Sequence, residues 1–147
     1  MKMYVRLAIA LVASLVVMFG LSFLQTRTWS HLLPNFSNFY ISLTMIGAMG
    51  LIMLAVMWPM FENRKVNAGL AVTFVAVLAC GVVLARTETF VGDEAFLRSM
   101  IPHHSRAVLV CQEAQITDPE ITELCDQIVS SQLQEIDQMQ DILRRLG

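Results

Sequence analysis

The chain has 147 residues, of which 56% are hydrophobic and only 15% are charged, a composition typical of membrane proteins. Its charge is unevenly distributed. Residues 1–85 carry five basic side chains and one acid, whereas residues 86–147 carry five basic side chains and eleven acids, a net of −6. Nucleic acid is therefore not an expected partner, because phosphate binding needs a basic surface.

Three uncharged segments are long enough to cross a bilayer, whose core needs ~20 apolar helical residues. They cover about residues 7–24, 39–60 and 66–85. The first follows a basic start, but it lacks a small-residue cleavage site and two more segments follow, so we interpret it as a retained anchor. The lipid bilayer is thus an expected partner of a membrane domain over residues 1–85.

Basic residues in the short connections predict how the spans are oriented. One side of the membrane receives Lys2, Arg6, Arg64 and Lys65, and the other side receives Arg27 and Arg86. The side richer in Lys and Arg is expected to be cytoplasmic. This places the N-terminus in the cytoplasm. The segment after the third span then lies outside it, in the periplasm if the membrane is a Gram-negative inner (plasma) membrane.

The connection between the first two spans, residues 25–38, contains Trp29 and His31. Trp29 fits an aromatic anchor at the membrane–water interface. A histidine in such a loop is usually solvated, so we expect His31 to be exposed, with a role as a metal ligand as the alternative.

A tether over residues 86–92 leads to the first of two further helices. Asp93 is expected to be its N-cap, followed by an acidic first turn, and the helix should run to about Ile116. Pro102 lies inside that range, where proline removes a backbone hydrogen bond and kinks a helix. Alternatively, Pro102 begins a separate helix.

A break is expected at Thr117–Glu120, because the residue before Pro119 disfavours the helical conformation and proline fits a first helical position. The second helix should then run from Pro119 to about Arg145. The sequence carries no strand pattern, so the predicted fold class is all-α. Three transmembrane helices are followed by an extracytoplasmic antiparallel helical hairpin over residues 93–147.

Polar and sulfur-bearing side chains interrupt the apolar stripe of each helix of this hairpin. Folding the chain at Asp118 places His104 opposite Gln132. The side chains expected within about two turns of that level are Met100, His103, His104, Gln132, Glu135 and Met139. Imidazole with thioether suits copper better than Ca²⁺ or Mg²⁺, so the pattern favours a metal site. The alternative is a structural polar layer that fixes the register of the helices.

The same folding places Cys111 opposite Cys125. Outside the cytoplasm such a pair can oxidise to a disulfide, if the Cα atoms approach closely enough. Free buried thiols and thiolate metal ligands are the alternatives.

The run Met100-Ile101-Pro102-His103-His104, with the preceding Asp93–Ser99 and the later Gln132-x-x-Glu135-Ile136-x-x-Met139, resembles family 305 of the domains of unknown function. The resemblance covers residues 93–147 and implies a ferritin-like helical fold and, as for some members, periplasmic copper binding. It implies that Met100, His103, His104 and Met139 are candidate ligands, with Glu135 a ligand or supporting group and Gln132 and Asp93 supporting groups. One hairpin is half of a four-helix unit, so a homodimer is expected.

We therefore expect a membrane-anchored extracytoplasmic metal-binding protein that stores, buffers or hands over copper. The sequence has no obvious nucleophile–base pair, phosphate loop or cofactor fingerprint, so an enzyme is not expected. Two alternatives remain. One is a structural or interaction module whose buried His/Gln/Glu layer sets helix pairing without metal, and the other is a redox enzyme in which a bound metal does chemistry.

Overall fold

The structure is a computed structural model that describes residues 2–147. All regular elements of this range are helical. The five α-helices are α1 (Lys2–Leu21), α2 (Phe36–Val56), α3 (Arg64–Thr87), α4 (Asp93–Glu113) and α5 (Pro119–Leu146), and short 3-10 turns occupy Ser22–Gln25, Trp29–His31 and Trp58–Met60. The prediction of an all-α fold class is confirmed.

Three helical segments are long and apolar enough to cross a membrane, namely Met3–Gln25, Phe36–Val56 and Arg64–Thr87. The prediction of three such helices is confirmed, but their bounds differ from the uncharged runs. The second helix ends at Val56 rather than Met60, because Pro59 lies in a separate 3-10 turn and cannot donate a backbone hydrogen bond. The third begins at Arg64, where the Asn63 side chain caps it by accepting from two backbone N–H groups.

The chain divides into two compact units. The first, here the membrane unit, comprises the residues up to Gly20 together with Ser37–Thr89, and the second, here the C-terminal unit, comprises Leu21–Phe36 and Phe90–Gly147. The loop between the first two spans lies in the C-terminal unit, and its 3-10 turns contact α4.

Glycines bring α2 and α3 into close contact within the membrane unit. A Cβ atom added at Gly47 would lie 2.6 Å from the backbone nitrogen of Leu78, and one added at Gly81 would lie 2.8 Å from the backbone nitrogen of Thr44. Small residues allow the backbones of membrane helices to approach in this way. The close contact between α2 and α3 therefore requires glycine, which has no side chain, at these two positions.

A polar contact joins α1 to α3 in the same unit. The Tyr4 hydroxyl donates to Asn67 Oδ1 at 2.9 Å, and the Tyr4 ring stacks on Phe61 with 4.8 Å between centroids. Asn67 is fully buried, and a buried amide without a partner would be strongly destabilising in an apolar environment. Tyr4 thus satisfies Asn67 and covers it.

We predict that Gly47→Ala destabilises the membrane unit by about 1–3 kcal/mol, the usual range for an extra group forced into a packed site. The added methyl would meet backbone atoms of Leu78, which cannot rotate away. Thermal unfolding of the full chain in detergent measures the change. Gly69→Ala is the matched control, because nothing lies within 4 Å of a Cβ at Gly69. Equal melting temperatures for the two variants would contradict the close contact.

In the C-terminal unit, α4 begins and ends slightly differently from the sequence expectation. Gly92 occupies the N-cap position and Asp93 is the first helical residue, so the assignment of Asp93 as the cap was wrong by one position. The acidic side chain still lies in the first turn, where it complements the positive end of the helix dipole. The helix ends at Glu113, before Ile116. Pro102 lies inside one continuous helix, which excludes the alternative that it begins a second one.

The break before α5 is where the sequence predicts it. The Asp118 side chain accepts from the backbone N–H groups of Glu120 at 2.9 Å and Ile121 at 3.1 Å, and Pro119 is the first helical residue. A proline at this position costs no hydrogen bond, because a backbone N–H at the first helical position would have no partner within the helix.

A disulfide connects α4 to α5 close to this break. Cys111 and Cys125 are bonded, with 5.4 Å between their Cα atoms, a normal separation for a disulfide. Their sulfurs are therefore neither free thiols nor thiolate ligands in this structure.

Removing this bond should destabilise the C-terminal unit. For a closed loop of this length the chain-entropy estimate is about 3 kcal/mol, so we expect a Cys111→Ser, Cys125→Ser variant to lose roughly that much. Denaturant unfolding of the full chain, with and without reductant, measures the loss. Cys80→Ser is the matched control, because Cys80 is an unbonded, exposed residue of α3. An unchanged midpoint in the double variant would overturn the expectation.

Candidate functional site

A contact between His104 of α4 and Glu135 of α5 forms the centre of the candidate site. His104 Nδ1 lies 2.9 Å from Glu135 Oε2, and the exposed fractions of the two side chains are 13% and 48%. The distance is that of an ion pair. Nδ1 is nevertheless buried without a hydrogen bond, so the approach of the ring to the carboxylate lacks hydrogen-bond geometry.

This contact corrects the expected partner of His104. Folding the chain at Asp118 pointed to Gln132, but the structure places Glu135, almost one turn further along α5, beside the ring. Gln132 is half-buried. A long side chain at the edge of a helix contact can reach a neighbour one turn away, so constant-sum pairing is accurate only to about one turn.

The same contact sets the level of the two methionines. Met100 precedes His104 by four residues and Met139 follows Glu135 by four residues, and both methionines are half-buried. From the disulfide to the His104–Glu135 pair, residue numbers decrease along α4, from 111 to 104, and increase along α5, from 125 to 135. One further turn in that direction brings Met100 and Met139 to the same level.

His103 and Asp93 are not drawn into this contact. The His103 side chain is exposed, and its ring lies edge-on to that of His104 with 5.7 Å between centroids. Asp93 starts α4, about 16 Å along the axis from His104 at 1.5 Å per residue. Among residues 2–147, no three His, Cys, Asp or Glu side chains are grouped so that they could hold a metal ion.

Burial keeps the His104 imidazole neutral. It lowers the pKa of His104 below its usual value, and the charge of His103 acts in the same direction, whereas the carboxylate of Glu135 opposes both. A neutral imidazole has a free lone pair, which is the form that binds metals. The group is thus in the state that either a metal ligand or an uncharged structural contact requires.

The buried face of α4 is rotated by about one residue from the predicted stripe. The stripe was expected to run through Leu97, Met100, His104, Ala107, Cys111 and Ala114. Leu97 is buried as expected, but the other buried residues of α4 are Ile101, Pro102, Ser105 and Val108. On α5 the buried residue is Ile136 rather than Glu135. The prediction considered only two helices, whereas the loop after α1 covers a further part of α4.

That loop attaches to α4 through the Ser105 hydroxyl. The backbone N–H of Arg27 donates to Ser105 Oγ at 2.8 Å, and His31 Nδ1 lies 2.8 Å from the same oxygen. Arg27 Nε also donates to Gln112 Oε1 at 3.0 Å. Ser105 is fully buried and His31 is 7% exposed, so the expectation of a solvated His31 was wrong.

One sequence signal could have found this attachment. Ser105 falls at helical spacing between Ile101 and Val108 and is the only hydroxyl on that buried face. A buried hydroxyl requires a hydrogen-bond partner. The partner, His31, however, is 74 positions away in the sequence, and no local pattern identifies it.

His31 and His104 lie on different sides of the α4–α5 contact. Ser105, which holds His31, and His104 are consecutive and therefore project about 100° apart around the helix. On α5, Glu135 and Asp137 flank the buried Ile136 in the same way. Asp137 acts electrostatically on His31, whereas Glu135 contacts His104.

Comparisons with known proteins match this part of the chain. Residues 83–143 are similar to the family described as Domain of unknown function (DUF305). An uncharacterized protein of Acanthamoeba polyphaga mimivirus is 30% identical over 111 residues, which cover 74% of this chain and 71% of that protein. No solved structure matches the chain. The family match includes His104, Glu135 and both cysteines of the disulfide.

We predict that Glu135→Gln lowers the pKa of His104 further in the metal-free protein, because it removes the negative charge that opposes burial. Histidine ring resonances followed by NMR over pH measure the shift. Since the folded pKa lies below the unfolded value of about 6.5, the stability that neutral His104 contributes is present above that pH and declines as pH falls below it. Glu123→Gln, an exposed acid of α5, should leave the titration unchanged. An unchanged His104 titration in Glu135→Gln would contradict the contact between His104 and the Glu135 carboxylate.

Proposed function

This chain belongs to the family described as Domain of unknown function (DUF305), and from that premise we propose that it is a membrane-anchored metal-binding protein. The proposed metal is copper, and the proposed role is storage, buffering or handover rather than catalysis. The candidate ligands are Met100, His103, His104, Glu135 and Met139, with Gln132 beside them. The three apolar helices supply the anchor.

The observation that supports this proposal best is the state of His104. Its Nδ1 is buried without an aligned hydrogen bond, although buried polar atoms are normally paired. Burial also holds the ring in its neutral form. A metal ion would use the lone pair of that nitrogen, and the carboxylate of Glu135 would balance the added positive charge.

The methionines favour copper among the metals that imidazole accepts. Thioethers are soft donors that suit Cu(I), whereas Zn²⁺ sites are built from thiolate, imidazole and carboxylate. Met100 and Met139 lie at one level, a turn from the His104–Glu135 pair. Two thioethers and one or two imidazoles would form a soft donor set that suits Cu(I).

The same proposal places α4 and α5 outside the cytoplasm as an antiparallel hairpin. The excess of basic residues at the N-terminus and between the second and third spans supports this orientation. The Cys111–Cys125 bond supports it independently, because disulfides persist in oxidising compartments. A homodimer would join two hairpins into a ferritin-like four-helix unit and add donors from a second copy.

A second function is favoured by a specific observation. His104 and Glu135 are already in contact, and the described residues contain no group of three His, Cys, Asp or Glu side chains around them. The pair can therefore act as a structural polar layer that fixes how α4 and α5 align. In that case the unit would serve as an interaction module without metal.

Metal titration of the full chain in detergent decides between the two functions. We expect one Cu(I) per chain or per dimer, bound more tightly than the micromolar range in competition with a chromogenic chelator. A His103→Ala, His104→Ala variant should remain folded and lose that binding. A Met100→Leu, Met139→Leu variant should bind Cu(I) at least about tenfold more weakly and Zn²⁺ unchanged, because only the soft donors are removed.

Met53→Leu is the matched control for the thioether variant, because it makes the same replacement in α2. Failure of the wild-type chain to bind Cu(I), Cu(II) or Zn²⁺ more tightly than the micromolar range would exclude the metal-binding function. If, in addition, His104→Ala lowers the unfolding midpoint in metal-free buffer, the structural polar layer is supported. Undiminished binding in the double histidine variant would refute the ligand assignment.

A further inference from the structure

The Ser105 hydroxyl holds the loop after α1 through two groups at once. The backbone N–H of Arg27 donates to Ser105 Oγ, and His31 Nδ1 lies within hydrogen-bond distance of the same atom. All three meet inside the C-terminal unit, where Ser105 is fully buried and His31 nearly so. At an exposed position of the same loop, Arg27 Nε also donates to Gln112 Oε1 of α4.

We propose that the segment Arg27–His31 is a pH-sensitive latch on α4, which is closed while His31 is neutral and opens when His31 takes up a proton. In the closed latch, Ser105 Oγ accepts from Arg27, and its own hydroxyl proton can be donated to the lone pair of His31 Nδ1. This arrangement uses both the donor and an acceptor site of the buried hydroxyl. The proposal does not depend on metal binding.

Protonation removes the acceptor that this arrangement needs. Both ring nitrogens of an imidazolium carry protons, so Nδ1 of charged His31 could only donate to Ser105 Oγ. The serine hydroxyl would then receive two donors and lose the acceptor for its own proton. A buried donor without a partner destabilises the closed state.

The charges that surround His31 act in opposite directions. Arg27 on the loop itself disfavours the imidazolium, and so does burial, whereas Asp137 on α5 favours it. From α4 the ring faces the neutral hydroxyl of Ser105. Burial is the largest of these effects, so the pKa of His31 in the closed latch lies below the ordinary histidine value.

The direction of the shift fixes the pH range of opening. Above the open-state pKa of about 6.5 His31 is neutral in both states, and the closed latch keeps its full stability. As pH falls below that value, the open state binds the proton more readily and the latch loosens. The loss stops below the lowered pKa of the closed state. One proton is taken up, so the closed-to-open ratio falls by at most about tenfold per pH unit.

Hydrogen exchange of the full chain in detergent, with a metal chelator present, tests the latch. Mass spectrometry follows the peptide that contains residues 22–36 between about pH 5 and pH 8, after correction for the intrinsic exchange rate. We expect constant protection above about pH 6.5 and a decline below it. A peptide from the centre of α5 should show no such change.

Two variants separate protonation of His31 from general acid destabilisation. His31→Gln retains an amide that can bond to Ser105 but cannot take up a proton, so its protection should be independent of pH. Asp137→Asn removes a charge that favours the imidazolium in the closed latch. The decline should therefore still begin near pH 6.5 but continue to lower pH and reach a larger total loss than in the wild type. A merely structural role for His31 predicts no movement of the profile in Asp137→Asn.

The proposal is overturned if wild-type protection is flat over this range, or if His31→Gln shows the same decline as the wild type. If His31→Gln is unprotected at every pH, Asp137→Asn decides, and an unmoved profile in that variant refutes the latch. Because the measurement contains no metal, failure of the latch would leave the proposed metal-binding function untouched.

Discussion

The buried hydroxyl of Ser105 attaches a third segment, the loop after α1, to helix α4 of the C-terminal unit. Through it, this loop packs against α4, because Ser105 Oγ accepts from the backbone N–H of Arg27 and is also hydrogen-bonded to His31 Nδ1. Helix α4 is consequently covered from two directions, by α5 and by the loop. Its buried face is therefore the run Ile101, Ser105 and Val108.

The features that could be predicted from the sequence are those determined by residues close together in the chain. The spans follow from apolar length, α5 begins where Asp118 and Pro119 together make a capped helix start, and Cys111 meets Cys125 because both lie close to that break. Each of these depends on residues near one another in the chain. Among these locally controlled features, the errors were of a few residues at helix ends. At the start of α4, for example, an acidic residue that caps a helix and one that lies in its first turn give the same sequence pattern.

What the sequence could not predict depends on contacts between distant segments. His31 lies in a loop with no periodicity, and its burial depends on Ser105, 74 positions later. The partner of His104 is Glu135 rather than Gln132, because folding the chain at its break fixes facing residues only to about one turn. The loop, which the sequence does not reveal as a third layer, buries His31.

The imidazoles of His31, which is buried, and His104, which is half-buried, are linked through α4. His104 and Ser105 are consecutive, so any rotation of this turn that brings the serine hydroxyl toward His31 also moves His104 relative to Glu135. Both rings are favoured in the neutral form by burial, and each has an opposing carboxylate on α5, Asp137 for His31 and Glu135 for His104. Acid that charges His31 weakens its contact with Ser105 and removes a restraint on the turn that carries His104. The packing of the loop and the geometry of the candidate metal site are thus expected to respond to pH together, although different residues carry the two responses.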